Sequence, residues 1–570
     1  MKTLTTALGI LVVTLCHAAD FPLAGGDIAS PTDWGQAVPG SSDDVVLPSS
    51  GTYELGGDVA FKTLAAGSGA SSLVFDFAKG GNHTVTLHGT TAREVLKPVV
   101  NDDGTAVFKG GVLKFATSVN VAMPWKKRAK TVLTDGCVVT NAATFDLGYG
   151  ATFSRLDVTN GASVYASVFN LNEWGGSSNV LSVTAGGVVS VNGDIRSDVN
   201  DITDRVSGNG FFVSGEGSKL RQTNTGAGIK LGYKCSGNWL CVEDGGECYD
   251  AGKLQIGTSA QSVRNEAMVR NGGILSVNKL QFASSNNKLE VDNASFQATG
   301  SVELGNAASV TGNVMTVTGP EAVFNCPGNV FGLGCGNLFE LVDGATWDIG
   351  GTDITLMSGA SSNVLSVAGG AVLANTNAPA AGATLKIGAD NTALGYNRIE
   401  ILDGAVVNLE GCFVRGVNNA VVVSNATLRI DGTGYGIWLG HGSNSSGNKL
   451  IVQGATPSVY VKEYKSSNGS AIRFEIPAEG YAEGYVPMTM KLDSALNTAT
   501  ERFEIDCAAW VANPDAVRKL VLMRTTTDIT SAQADWILAQ NADLPESVRL
   551  KVTSSEVIIQ KRGGFILSFR

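Results

Sequence analysis

Residues 362–373 read Ser-Asn-Val-Leu-Ser-Val-Ala-Gly-Gly-Ala-Val-Leu, and residues 178–189 repeat the first six of these without change. More divergent copies recur through the middle of the chain. Each begins with an asparagine, and these anchor asparagines are 22 to 34 residues apart. They are Asn179, Asn209, Asn238, Asn265, Asn287, Asn313, Asn337, Asn363, Asn397, Asn419 and Asn448. A repeat of this length indicates an architecture built from one recurring structural unit.

Each copy alternates apolar and variable residues after its anchor. Counting the asparagine as the first residue, the third is apolar in every copy, as at Leu365, and the fifth is Val, Ile or Leu, as at Val367. The second and fourth residues include Ser, Glu, Lys, Arg and Thr. Alternation with a period of two predicts a short strand with one buried face.

Two further short strands follow in each repeat. A turn signal comes first, for example Asp343-Gly344, Asp403-Gly404 or Asn271-Gly272. The second strand carries alternating apolar pairs, such as Trp347 and Ile349, Val407 and Leu409, or Leu275 and Val277. The third strand carries pairs such as Ile229 and Leu231, Leu254 and Ile256, Val302 and Leu304, Ile354 and Leu356, or Ile437 and Leu439.

Three short strands cannot bury a core alone, so each repeat must stack on its neighbours. The pattern therefore predicts an all-β fold, a parallel β-helix or β-solenoid. It is expected to be right-handed because parallel crossovers of that hand predominate. A recurrent asparagine at one corner fits, since Asn tolerates the left-handed turn conformation and stacked Asn side chains can hydrogen-bond between coils.

The ends of the chain differ from its middle. Residues 1–19 are predicted to be a secretory signal peptide: Lys2 supplies the charge, Leu8 to Leu15 the apolar core, and Cys16-His17-Ala18 a cleavage site. A lipid attachment at Cys16 is the alternative. Residues 20–100 are predicted to form an N-terminal β segment or cap, residues 101–470 the solenoid, and residues 471–570 a β-rich C-terminal cap with one short helix.

Local patterns support both caps. The N-terminal one contains Trp34, Tyr53 and strand-like runs at 43–47, 72–77 and 84–87. In the C-terminal one, residues 531–540 are predicted to be helical, with Thr530 or Ser531 as N-cap. Strands at 550–560 and 565–569 are predicted to form a hairpin around residues 561–564.

The net negative charge of the chain restricts the classes of partner that it is expected to bind. The formal net charge is -11, and removal of the signal with Lys2 makes it -12. An acidic surface argues against nucleic acid and anionic membranes as partners. The apolar core of the signal is too short to span a bilayer, and no transmembrane segment is predicted in the mature chain that follows it. The basic run at residues 126–130, Lys-Lys-Arg-Ala-Lys, is either a contact for an acidic glycan or a solvated loop.

Metal and cofactor sites are not predicted. Of nine cysteines, eight remain after Cys16 is cleaved, and an exported chain can pair them in disulfides or bury them. The cysteines lack C-x2-C zinc spacing. Asp194, Asp198, Asp201 and Asp204 could surround calcium, but they lack the order of a calcium loop, so solvated loop acids are the alternative.

The signal, the Gly- and Asn-rich coils and the β-rich ends resemble secreted bacterial parallel β-helix repeat proteins, including autotransporter passengers and adhesin-like proteins. That resemblance implies an exported, cell-surface-associated structural or adhesive solenoid with extracellular glycans as partners. It also departs from autotransporters, which end in a much longer barrel than the hundred residues that follow the repeats here.

The alternative function is a polysaccharide-active enzyme, a pectin-lyase-like lyase or glycoside hydrolase. Gly440-His441-Gly442-Ser443 resembles the Gly-His-Gly element of polygalacturonase-type glycosidases, but the carboxylates that those enzymes need are not at matching positions. His83, His88 and His441 are the histidines left after signal cleavage, which limits histidine-based chemistry. The sequence therefore predicts no catalytic residue and no enzymatic activity.

Overall fold

A computed structural model describes residues 18–562 except 21, 23–24, 36, 49, 67–69, 94, 98–99, 125, 173–175, 198–206, 327–329, 350–353, 358, 360, 375–383, 389–393, 433–435 and 493–499. The predicted signal peptide up to residue 17, Asp198, Asp201, Asp204 and the predicted strand at 565–569 lie outside the described residues. The chain divides into two compact units, residues 1–191 and 192–570, which are described separately.

The fold is all-β, and parallel strands stack coil upon coil as a right-handed β-solenoid with about sixteen turns in the chain. The predicted fold class is therefore confirmed. Each coil contributes a strand to one parallel sheet, turns a corner, and contributes one or two strands to another. Stacking of this kind pairs the backbone groups of every coil with those of the coils above and below it.

The first unit contains three parallel ladders, here called the small, first and second sheets. The small sheet consists of Ala18–Asp20, Asp44–Leu47, Thr63–Ala66 and Leu96–Lys97. The first sheet consists of Gly26–Asp27, Gly51–Glu54, Ala70–Asp76, Val100–Lys109, Lys130–Thr134, Arg155–Val158 and Val180–Thr184. The second sheet consists of Val59–Phe61, Thr84–Leu87, Val112–Ala122, Val138–Leu147, Ser163–Leu171 and Val188–Val191. A short helix spans Pro31–Trp34.

Aromatic rings fill the interior of the first unit from coil to coil. Phe75 stacks on Phe108 with ring centroids 4.7 Å apart, and Phe145 stacks on Phe169 at 5.4 Å. Trp34 is buried and donates its indole N–H to the carbonyl of Ile28 over 2.9 Å. These rings bury large apolar areas, so they hold neighbouring coils together as well as fill them.

The second unit is built on the same coil plan, with a first and a second sheet of its own. Its first sheet consists of Gly210–Ser214, Trp239–Glu243, Glu266–Arg270, Lys288–Asp292, Val314–Thr318, Leu338–Val342, Val364–Val367, Arg398–Leu402, Ala420–Ser424, Lys449–Gln453, Ala471–Glu475 and Arg502–Asp506. Its second sheet consists of Ile195–Ser197, Lys219–Gln222, Ile229–Leu231, Glu247–Ile256, Ile274–Phe282, Ser295–Ala298, Val302–Glu303, Val323–Asn325, Thr346–Asp348, Ile354–Leu356, Val372–Ala374, Thr384–Ile387, Val406–Leu409, Gly411–Val414, Thr427–Ile430, Ile437–Leu439, Ser458–Ser466, Met488–Leu492, Lys519–Thr525, Val548–Val552 and Glu556–Lys561. Helices span Ala508–Ala512 and Ser531–Gln540.

The register places equivalent residues of successive repeats side by side. Leu365 pairs with Ile399 and Val367 with Ile401, and all four side chains are at most 2% exposed. The apolar pairs predicted for the second and third strands are buried as well, for example Trp347 and the pairs at 254/256 and 437/439. The inward face predicted from the alternation is therefore confirmed.

The left-handed residue of the corner is not the anchor asparagine. The residue immediately before each of the eleven anchors has a positive φ, between 54° and 74°, and the anchors themselves do not. The expectation that Asn adopts the left-handed conformation there is wrong; its contribution is the side-chain hydrogen bond. The turn after the strand does follow the predicted signals, since Asp343 and Gly344 both have positive φ, as do Asp403 and Gly404.

Parallel pairing is present on both sides of the predicted domain boundaries at residues 100 and 470. Val100–Lys109 pairs with Ala70–Asp76, and Ala471–Glu475 pairs with Lys449–Gln453. The two boundaries themselves stay predictions. In the two coils after Asn448, the position equivalent to the anchor is occupied by Ser470 and then by Glu501. The series of anchor asparagines therefore ends at Asn448, as the sequence predicts.

The C-terminal helix is confirmed, and the predicted strand at 550–560 is corrected; its predicted hairpin partner at 565–569 lies outside the described residues. Ser531–Gln540 is helical, and Thr530 and Gln533 form a reciprocal capping box. Residues 550–560 are not one strand: Val548–Val552 pairs antiparallel with Glu556–Lys561. Thr553 makes the turn, because its hydroxyl accepts the N–H of Glu556 over 2.9 Å.

Most of the cysteines are buried. Cys137, Cys241, Cys248, Cys412 and Cys507 are buried thiols that form no disulfide bond. Burial raises the pKa of Cys137 and Cys412 to about 12. Such thiols are poor nucleophiles and behave as small apolar side chains.

Candidate functional site

A ladder of asparagines fixes which side chains of the second unit face outward. In each step the side-chain Oδ1 of one anchor accepts the backbone N–H of the preceding anchor, over 2.8 to 3.2 Å, from Asn209 to Asn448. The anchors are buried. In the first unit Asn179 accepts the N–H of Ser154 in the same way, over 2.8 Å. Because the ladder sets the register, the second and fourth residues of each copy form rows on the outer face of the first sheet.

The outer face of the first sheet carries a depression of about 440 Å³ on three successive coils of the second unit. We call it the tryptophan dish. It is lined by Phe212, Gly237, Asn238, Trp239, Cys241, Arg264, Glu266, Met268 and Arg270. Phe212, Cys241 and Met268 share one row, since they are paired across the three strands. The dish therefore combines an apolar floor with charged side chains around it.

The position of the Trp239 side chain in the dish depends on a glycine in the preceding strand. Trp239 pairs with Gly210, and a β-carbon added to Gly210 would lie within 2.0 to 2.5 Å of three atoms of the indole. The indole therefore lies across the backbone of Gly210, in space that other residues would occupy. Trp239 remains partly exposed, so one part of a large aromatic surface is open to solvent.

Arg264 occupies the left-handed slot before Asn265. Its φ is 57°, and the same slot holds Gly, Asn or Ser in nine of the other ten copies and Tyr in one. A long side chain in this conformation costs about 1 kcal/mol or more relative to glycine. Arg264 is exposed, and among the described residues no carboxylate pairs with its guanidinium group. The dish therefore has a cation at its edge that contributes nothing evident to folding.

The other charges of the dish are paired. Arg270 donates its Nε–H to Glu243 over 2.8 Å, and Glu266 lies 3.3 Å from Lys288. Cys241 lies under this pair, and burial, with a smaller contribution from Glu243, raises its pKa to about 11. Cys241 is therefore an uncharged floor residue at neutral pH, and the unpaired charge of the dish is positive.

Two further depressions lie in the second unit. One, of about 340 Å³, is on the outer face of the second sheet and exposes Tyr249 and Ile274 beside Arg221. The other, of about 400 Å³, lies near the C-terminal end, between the strand Arg502–Asp506 and the residues after the helix Ser531–Gln540. Both are shallow and mixed in polarity, as the tryptophan dish is. In neither depression are the arginines, Arg221 and Arg473, unpaired.

His441, the best catalytic fragment in the sequence, is packed among aromatic rings. It stacks on Phe413 at a centroid distance of 4.9 Å and meets Trp438 edge-on at 4.4 Å. Gly440 has a φ of 81°, and a β-carbon there would lie 2.3 Å from the carbonyl oxygen of Ser467. Turn geometry and close backbone approach therefore explain a glycine before the histidine without reference to catalysis.

Asp194 and two residues of the basic run are engaged in ion pairs. Asp194 lies 2.7 Å from Lys230 and also pairs with Arg196. In the basic run, Arg128 pairs with Asp103, and Lys130 lies 2.7 Å from Asp157. His83 lies 3.8 Å from Asp58. Two of the four positive charges of the run are thus balanced by neighbouring carboxylates.

The described residues offer neither a metal centre nor a membrane-spanning helix. They contain no group of three or more His, Cys, Asp or Glu side chains arranged to hold a metal ion. Within them, no helix combines the length and the apolar character needed to cross a bilayer.

The sequence analysis missed the tryptophan dish, although a signal for it exists. Trp239 and Arg264 each stand next to an anchor asparagine, at 238 and 265. When the repeats are aligned on their anchors, the position after the anchor is a glycine in one copy, Gly210, and a tryptophan in the next, Trp239. The position before the anchor is Gly, Asn or Ser in most copies but an arginine at Arg264.

Comparison with known proteins gives no relative for this chain: no family model, no curated protein and no solved structure matches it significantly. The resemblance to secreted bacterial β-helix proteins is therefore one of repeat pattern and fold class, and membership in such a family stays a prediction.

Proposed function

We propose that the protein is an exported, cell-surface-associated β-solenoid with a structural or adhesive role, and that its partners are extracellular glycans. The tryptophan dish carries this proposal. It sets a partly exposed indole and an unpaired arginine side by side on the outer face of a sheet. A shallow, mixed surface of this kind suits an extended ligand that lies along several coils.

The fold supports binding along a face. Outward rows repeat at the spacing of stacked strands, about 4.8 Å, so a linear polymer can meet equivalent positions on successive coils. Tyr249 and Ile274 are 46% and 39% exposed on the second sheet and offer a second area of contact. Weak contacts spread over such faces give useful affinity when many act together.

Two measurements test this proposal. The cells that make the protein are fractionated, and the purified chain without residues 1–19 is applied to arrays of glycans and to intact cells. We expect recovery outside the cytoplasm and binding to a subset of glycans. Recovery in the cytoplasm would contradict export, and an extracellular chain that binds no glycan would leave a purely structural role.

A separate activity assay tests the alternative that the protein is a polysaccharide-active enzyme. The glycans that bind are incubated with the protein, with and without calcium, and new reducing or unsaturated ends are measured. We expect none. Release of such ends that is abolished by His441→Ala would replace the adhesive reading with a lyase or hydrolase.

A further inference from the structure

We propose that the tryptophan dish binds a uronic-acid unit of a linear glycan, with the sugar ring on the Trp239 indole and its carboxylate on Arg264. This inference rests on the proposed glycan-binding function and adds the site and the chemical class of the sugar. Three observations carry it: the place made for the indole, the unpaired charge, and the backbone conformation of Arg264.

The indole supplies an apolar platform. Trp239 lies across Gly210, so the ring is held against the sheet by the backbone beneath it. Trp239 is partly exposed, and an aromatic ring presents a polarisable surface on which the C–H groups of a sugar ring can stack. Phe212 and Met268 extend the apolar floor on the neighbouring coils.

Arg264 supplies the charge that selects an acid. Its planar guanidinium can donate two parallel hydrogen bonds to a carboxylate. The carboxylates nearest to the dish are engaged elsewhere, Glu243 with Arg270 and Glu266 with Lys288. A ligand carboxylate would therefore meet the one cation of the dish that has no partner among the described residues.

The backbone of Arg264 argues against a purely structural role. The slot favours glycine, and five of the eleven copies have glycine there. An arginine held in this conformation is less stable than the glycine would be, so its presence indicates a benefit outside folding. A neutral ligand would give no reason for a charged residue in this slot.

The test uses a matched pair of probes, a tetramer of β-1,4-linked glucuronic acid and cellotetraose, which has CH₂OH in place of each carboxylate. A tetramer of α-1,4-linked galacturonic acid is the second acidic probe. Binding to the full mature chain is measured by calorimetry and by ligand-observed NMR. We expect at least one acidic tetramer to bind at least tenfold more tightly than cellotetraose, and its affinity to fall as salt is raised.

Three variants separate binding from folding. Arg264→Gly is expected to raise the urea midpoint of unfolding and to weaken acidic binding at least tenfold. Trp239→Ala and Gly210→Ala are expected to weaken binding, the latter because the new methyl group displaces the indole. The controls are Ser362→Gly, the same slot in another copy, and Arg398→Gln, a paired arginine elsewhere on the same sheet. Both are expected to leave affinity unchanged.

Failure of this inference is distinguishable from failure of the proposed function. If the chain binds glycans on the arrays but neither acidic tetramer binds preferentially, or if Arg264→Gly and Trp239→Ala bind as the parent does, the dish assignment is overturned while glycan binding stands. If the chain binds no glycan on the arrays, the proposed function fails and this inference fails with it.

Discussion

Asn313 illustrates what one anchor asparagine does at the scale of a residue. Its Oδ1 accepts the N–H of Asn287 over 2.9 Å, and its Nδ2 donates to the carbonyl of Leu304 over 2.8 Å. Its own N–H donates to Asn337 over 2.9 Å. The side chain is fully buried, so it supplies hydrogen bonds to backbone groups that water cannot reach.

We expect Asn313→Ala to lower the free energy of unfolding by about 2 to 4 kcal/mol, because it leaves one buried N–H and one buried C=O without partners. Urea unfolding followed by circular dichroism measures the change. Asn325→Ala, which removes an exposed asparagine on the outer face of the second sheet, should change it by less than about 0.5 kcal/mol. Equal effects of the two variants would contradict the ladder.

The sequence predicted that the anchors would be structural, but it misplaced the strained position. Asn is common where φ is positive, so the anchor was expected to adopt the left-handed conformation. The preceding residue does so instead, at Ser178 and Tyr396 as well as at the glycines. Residue types could not reveal which position is left-handed, because the position before the anchor accepts several residue types. The anchor itself is an asparagine because its side-chain amide makes the hydrogen bonds between coils.

Asp250 gives a second prediction at this scale. It is fully buried and accepts the N–H groups of Ile229 and Gly252 over 2.8 and 2.9 Å, yet burial raises its pKa to about 6. In the unfolded chain the same carboxyl titrates near 3.8. The folded state therefore binds the proton more tightly, and stability falls as pH rises between these values.

We expect Asp250→Asn to remove this dependence. The parent should lose about 2 to 3 kcal/mol of unfolding free energy at this site between pH 4 and pH 7, whereas the variant should not. The difference between the two proteins in urea midpoint, followed across this pH range, is the measurement. A difference that stays constant from pH 4 to pH 7 would mean that Asp250 titrates normally.

At the scale of elements, the helix Ser531–Gln540 covers the last strand of the first sheet. The indole N–H of Trp536 donates to the carbonyl of Glu501 over 3.1 Å, and the side-chain amide of Asn541 donates to Phe503 over 2.9 Å. These carbonyls belong to the edge of the strand Arg502–Asp506, which would otherwise be open to other chains. The helix thus acts as an end cap for this sheet.

We expect Trp536→Phe to lower the free energy of unfolding by about 1 to 2 kcal/mol, because a buried ring is kept while the hydrogen bond to the edge is lost. Leu538→Ala on the same helix is the control: Leu538 is 40% exposed and should matter little. Hydrogen exchange at residues 502–506 should become faster in the first variant alone. No change in exchange there would contradict the capping role.

The helix was predictable and its contacts were not. Thr530 and Gln533 stand at the spacing of a capping box, which is a local signal. The strand predicted at 550–560 is wrong because the polar residues 553–555 form a turn inside it, where the hydroxyl hydrogen bonds of Thr553 separate two strands. Local patterns thus located the elements, and long-range pairing decided their ends.

At the scale of the whole molecule, one repeat provides both the scaffold and the surface that we propose to be functional. Inward positions are restricted to apolar residues by burial, and this restriction made the coils visible in the sequence. Outward positions are free to vary, so a site such as the tryptophan dish leaves no periodic signal. Its residues, Trp239 and Arg264, are recognisable only as exceptions to the repeat.

The central claim is that outward side chains of a few coils bind an extended glycan. Hydrogen exchange of the mature chain, measured with and without the tightest-binding glycan of the arrays, tests it most directly. We predict that protection is confined to segments on the outer face of the first sheet, at residues 208–214, 237–243 and 264–270. Protection centred on residues 410–442 around His441, or none at saturating glycan, would contradict this account.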